Sequence, residues 1–225
     1  LENYETPATI YVTTRFPEGD SWMWWYELWE YLMEIEWLTV KYGDRQKEYE
    51  CKNLSQKHIC YLDLHNWMMT LTLKKQKMFL IELTGKLKRR SYNNICLDWD
   101  EIQILDCHPL ISIGSHTHSH PILSNEDKET AHREIKKSKI LLEMHLKHSI
   151  HHFAYPYGDL HEADEREYKL TKELGFLTAV TTRNYKSSNP LFLQLPRYGI
   201  SSNSTPFSLK SRIGGLSNAF GRQLS

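Results

Sequence analysis

The sequence predicts an α/β fold on a mostly parallel sheet or barrel. One observation is that short β-branched or aromatic runs alternate with helical patterns, as in βαβ units. A second is that "LISIG", "HHFAYP" and "LTAVTT" are apolar enough to be buried strands. A third is chemical: "IGSHTHSHPIL" sets His116, His118 and His120 within five residues directly after such a strand.

In chain order, "ATIYVTT" reads as a strand after Pro7. "SWMWWYELWEYLMEI" predicts a helix with Ser21 as N-cap. Its tryptophans suit core or groove lining, and exposed indoles would suit sugar faces. Residues 36–90 form an expected helical insertion: "QKHICYLDLHNWMMTL" and "KKQKMFLIELTGKL" carry helical patterns, and "LTGKLKRRSYNN" closes it with turn residues and a basic cluster. "LDWDEIQIL" predicts a short helix capped by Asp98, and "LISIG" a strand. The helix after the histidines has Ser124 and Asp127 in capping-box spacing, with Ala131, Ile135, Ile140, Leu142 and Leu146 as its packing side. A helix around "EREYKLTKELGF" lies between "HHFAYP" and "LTAVTT", and a strand is expected near "FLQLPRYGI". Residues 1–200 are read as one domain and 201–225 as a Ser/Asn/Gly-rich tail of partial order.

Composition narrows the function. The 225 residues carry 28 Lys+Arg and 28 Asp+Glu, so net charge is zero. That disfavours nucleic acid as a partner, because such binding needs a basic surface that displaces counterions. No apolar run approaches membrane-spanning length, and the N-terminus lacks the basic-then-apolar pattern of a signal peptide. Both a cytoplasmic and a cell-envelope location stay open. Cys51, Cys60, Cys96 and Cys107 form no CxxC pair and read as buried free thiols.

His116 and His120 stand four apart at a strand end, so one compact turn can aim both imidazoles at one point. Two neutral imidazoles suit zinc, cobalt, nickel or iron, with a carboxylate and water completing a catalytic site. Such an ion acidifies water and polarises a carbonyl, the two needs of amide or ester hydrolysis. A satisfied, histidine-rich turn is the structural alternative. Thr117 and Ser119 read as turn formers or as partners orienting the rings, and His118 as the non-ligand.

"GSHTHSHPILS" resembles the H-[ST]-x-x-H motif of the polysaccharide deacetylases, the NodB-homology family within carbohydrate esterase family 4. "PATIYVTT", "REIKKSKILLE", "FAYPYGD" and "ELGFLTAVTT" are similar to further stretches of that family, in its order. The resemblance implies a deformed (β/α) barrel and metal-dependent removal of N- or O-acetyl groups from an acetylated polysaccharide or oligosaccharide. The enzyme class implied is a hydrolase of carbon–nitrogen bonds other than peptide bonds. It implies a divalent metal, zinc ahead of cobalt or nickel, held by His116 and His120. Tyr157 would give its backbone N–H to the oxyanion, Tyr155, Pro156 and Gly158 would shape that loop, and Tyr155, Pro156 and Arg197 would bind substrate.

The departures from the pattern are equally specific. No Asp-Asp pair occurs, although the family's first motif supplies a general base and a third ligand from one. The fold is therefore expected to be incomplete at its N-terminus. Ala154 replaces a frequent arginine, and "LQLPRYG" lacks the usual acid histidine. Asp20, Asp98 and Asp159 are conceivable substitutes. Two functional readings follow, a weak or inactive deacetylase and a non-catalytic carbohydrate- or metal-binding relative. A structural protein without ligand is a third.

Overall fold

The computed structural model of the chain describes residues 2–42, 45–85, 91–183 and 191–213. The basic cluster at 86–90 and residues 214–225 of the tail lie outside the described residues. The elements begin with β1 (Ala8–Val12), α1 (Trp24–Glu34), β2 (Trp37–Tyr42), β3 (Arg45–Glu50), α2 (Leu54–Met68) and α3 (Leu73–Thr84). They continue with α4 (Trp99–Asp106), β4 (Ile111–Ser115), α5 (Lys128–Leu146), β5 (His152–Ala154), α6 (Glu165–Glu173), β6 (Thr178–Val180) and α7 (Pro206–Ile213). Two compact units result: Leu1–Thr14 with Gln103–Ser225, and Arg15–Ile102.

The first unit is an α/β layer built on a parallel sheet of order β1-β4-β5-β6. Val12 lies opposite Ser115, Ser115 opposite Phe153, and Ala154 opposite Val180, so the C-terminal strand ends share one edge. Among the described residues this sheet does not close into a barrel. Where "FLQLPRYGI" was expected to be a strand, Leu195 makes a single parallel bridge to Val180. Pro196 follows directly and has no N–H to extend a ladder.

Helix α5 covers the sheet through Ala131, Ile135, Ser138, Leu142 and Leu146, all buried at i, i+3 and i+4 spacing. Ile140 falls off that stripe and is exposed, and Ser138 takes the expected apolar place by bonding Ser115 Oγ at 2.8 Å. The N-cap of α5 is Asp127, which accepts from Thr130 N at 2.8 Å. Ser124 instead occupies a 3₁₀ turn and donates to His161 O. Chain that turns before Lys128 leaves Ser124 too early to reach the first free amides.

In the second unit, α2 and α3 fill much of the segment expected to be helical. Ahead of them β2 and β3 pair as an antiparallel hairpin, with Leu38 and Val40 buried and Trp37 and Thr39 outward. Met23, without a side-chain bond, caps α1. Ser21 Oγ is committed elsewhere, meeting Asn93 Oδ1 at 2.5 Å and accepting from Tyr92 N at 2.9 Å. Lys57 closes the other end of α1: its Nζ donates to Leu32 O at 2.6 Å and Ile35 O at 2.5 Å. A cation is well placed there, at the negative end of the helix dipole. Asp98 does cap α4, in a reciprocal pair with Glu101. The cysteines are free, with Cys51 and Cys60 buried; Cys107 is exposed, against expectation, because it lies just past the end of α4.

Candidate metal centre

The site is built at the shared C-terminal edge of the sheet, where parallel α/β folds gather function because the strand ends open into loops. β4 ends at Ser115, and the next residue is His116. Its backbone N donates to Val12 O at 2.9 Å, and its ring Nδ1 lies 2.7 Å from Ala154 O at the end of β5. A carbonyl only accepts, so Nδ1 carries the proton and Nε2 keeps its lone pair. Fixing one ring nitrogen on a carbonyl to present the other is the usual support of a metal-ligating histidine.

The turn after His116 is strained and held. Thr117 and His120 both have positive φ, 65° and 58°, a region that β-branched threonine in particular avoids. Thr117 Oγ1 donates to His116 O at 2.5 Å and accepts from His120 N at 3.1 Å. Thr14 N also donates to Thr117 O at 3.2 Å. Those bonds over-determine the backbone, and the strain brings the His116 and His120 rings to a centroid distance of 4.8 Å. Gly114 assists: a Cβ there would fall 2.6 Å from the Tyr11 ring, so only glycine lets that ring cross β4.

Both imidazoles are held neutral. Burial pushes His116 down to about 4, opposed by the Ala154 bond and aided by the positive charge of Arg197. Burial, followed by repulsion from His116, pushes His120 down to about 3. Neutral rings are the form that coordinates a cation. His118 leaves the pair, with Nδ1 3.0 Å from Thr14 Oγ1, and Ser119 N donates to Glu134 Oε2 at 2.8 Å.

The second loop meets the first. The Tyr157 ring stands edge-on to His120 at 5.0 Å between centroids. Tyr157 has φ 61°, and Gly158 N donates to Pro156 O at 2.7 Å, a three-residue turn of the strained γ type. That bond fixes the peptide plane containing the Tyr157 N–H. Thr182 Oγ1 donates to Tyr157 O at 2.6 Å and fixes the next plane. Tyr155, expected to bind substrate, is a core residue: it is 0% exposed, with its hydroxyl 2.7 Å from Thr171 Oγ1 and 3.1 Å from Leu193 O. Pro156 is buried too, so both shape the loop from behind. Arg197 is partly buried and tied through Nε to Thr181 O at 2.9 Å.

The donor set fits two positions of a divalent-metal site. Among the described residues no group of three or more His, Cys, Asp or Glu is placed to share an ion. Asp159 is spent on its own turn, accepting from Leu160 N, while Asp20 pairs with Arg15 and Asp98 caps α4 within the second unit. Tyr11 and Thr14 were missed in the sequence. Neither carries a motif, and each reaches the site through the β1–β4 pairing across about a hundred residues.

Residues 1–179 match the model of the polysaccharide deacetylase family, and the chain belongs to that family. It is similar in structure to a de-N-acetylase from Aggregatibacter actinomycetemcomitans, with a TM-score of 0.54 and 11% identity over 94% of this chain and 67% of that one. It is also similar to the deacetylase domain of BpsB from Bordetella bronchiseptica, with a TM-score of 0.50 and 12% identity over 88% of this chain and 62% of that one. The Streptococcus pyogenes deacetylase PplD, solved with acetate, is 22% identical over 59% of this chain and 54% of its own, with a TM-score of 0.46. The chain thus spans between about half and two thirds of these proteins. No curated protein sequence matches it.

Proposed function

We propose that this chain is a metal-dependent hydrolase removing acetyl groups from N-acetylated, or O-acetylated, sugars of a polysaccharide, with weak turnover from its own residues. The observation that carries the reading is the His116–His120 pair, neutral, 4.8 Å apart, with Nδ1 of His116 tied to Ala154 O. These two side chains would hold the ion, zinc ahead of cobalt or nickel. When bound, it would acidify water and polarise the acetyl carbonyl. Tyr157, in its clamped turn, would offer its N–H to the developing oxyanion, a contribution that depends on preorganisation. Arg197 would add a fixed positive charge beside His116 that favours the same negative charge and substrate binding.

Weak turnover follows from what is not beside the pair. Among the described residues no third His, Cys, Asp or Glu is placed to share an ion with the pair; a water there would lack a carboxylate base, a contribution of about 10²–10⁴-fold. The same observation favours a second reading, a non-catalytic carbohydrate- or metal-binding relative. Acetate release from acetylated chito-oligosaccharides, with zinc or cobalt added, separates the two. Slow, metal-dependent release that disappears in His116→Ala supports the hydrolase; no release at any metal concentration supports the binding relative.

A further inference from the structure

The second unit carries an aromatic groove between α1 and α2. Helix α1 buries Trp24, Glu27, Leu28 and Leu32, and α2 buries Lys57, Cys60, Leu64 and Met68. Trp25, Tyr26 and Trp29 lie off the buried stripe of α1, and His58 and Tyr61 lie off that of α2. Together these five line a hollow of about 370 Å³, near the lower end of the size of small-molecule sites. Trp29 meets Tyr61 edge-on at 5.4 Å and His58 at 6.5 Å, and Tyr26 stacks obliquely on Tyr92 at 5.5 Å. Large rings gathered in one exposed patch mark an interaction site or ligand groove, where rings scattered singly do not.

The lining selects the occupant. It holds no carboxylate, lysine or arginine, so a charged ligand would be desolvated without a counter-charge. It also holds no aliphatic side chain, unlike grooves that receive apolar helices. Every lining residue pairs a flat ring with a polar edge: an indole N–H, a phenol or an imidazole. That combination matches a ligand with flat C–H faces and a hydroxylated rim. We propose that this groove binds a neutral pyranose oligosaccharide, stacked on Trp29 and Tyr61, independently of the histidine pair. The choice of a sugar rests on the polysaccharide substrate proposed above.

The test titrates the full chain with the hexamer of N-acetylglucosamine in the presence of EDTA, followed by tryptophan fluorescence and calorimetry. Expected is saturable binding, weakened at least about tenfold by Trp29→Ala and by Tyr61→Ala. Trp29→Phe keeps a ring and retains most of the binding, with unchanged melting curves as proof of folding. No saturable binding by the parent, or parent-like binding by folded Trp29→Ala and Tyr61→Ala, overturns the proposal. So does concentration-dependent self-association abolished by Trp29→Ala, which would assign the groove to a second copy. EDTA keeps the two questions apart: absent acetate release leaves this titration readable, and absent hexamer binding leaves the metal pair untouched.

Discussion

Replacing Gly158 with alanine should strike the Tyr157 turn at its least forgiving point. Gly158 has φ +70°, and a Cβ there would stand 3.0 Å from Tyr155 O, 3.1 Å from Thr182 N and 3.4 Å from the Thr181 Cα. All three neighbours are backbone and cannot rotate away. The left-handed conformation costs an L-residue about 1–2 kcal/mol, and overpacking against a fixed wall adds about 1–3 kcal/mol. Gly158→Ala should therefore destabilise the sheet unit by about 2–5 kcal/mol. Gly175 isolates the first cost: its φ is +77° and nothing lies within 4 Å of an added Cβ. Gly175→Ala should lose about 1–2 kcal/mol. Urea unfolding, read from amide protection at Phe153 and Ala179 so that the second unit does not contribute, measures both. Equal losses in the two variants would refute the claim that backbone pins this turn.

Three further outcomes are expected. The metal-free chain should lose stability as pH falls below about 6.5, because the unfolded histidines take up protons while folded His116 and His120 wait until about 4 and about 3. Allowing for partly exposed rings, the loss by pH 5 is about 1–3 kcal/mol, and the melting temperature of His120→Gln should fall less steeply over the same range. Thr117→Val removes the hydroxyl joining His116 O to His120 N. It should cost about 1–3 kcal/mol in thermal unfolding, with Thr117→Ser recovering most of it. Lys57→Met uncovers the α1 carbonyls of Leu32 and Ile35; it should lower the second unit's stability by about 2–3 kcal/mol, read by urea unfolding of tryptophan fluorescence.

The sequence made the histidine pair legible because strand, glycine and i, i+4 spacing coincide within ten residues. The parallel sheet was legible for the same reason, since each strand is short, apolar and bounded by turns. What it hid is non-local. Tyr11 and Thr14 join the site only once β1 pairs with β4. Tyr155 reads like a ligand-facing aromatic, yet its partners Thr171 and Leu193 lie 16 and 38 residues away. The β2–β3 hairpin escaped because "RQKEYE" is polar on both faces, leaving no period-2 signal except the buried Tyr49. Caps misled where two candidates competed: Ser21 and Ser124 have the right chemistry, but tertiary bonds to Asn93 and His161 claim them first.

A zinc titration of the metal-free chain asks whether His116 and His120 share one divalent cation. The parent should bind one zinc ion per chain, and His120→Ala should bind it at least about tenfold more weakly, since the substitution removes one of the two proposed imidazole ligands. Zinc binding of equal strength and stoichiometry in the parent and in His120→Ala would place the ion elsewhere than on this pair.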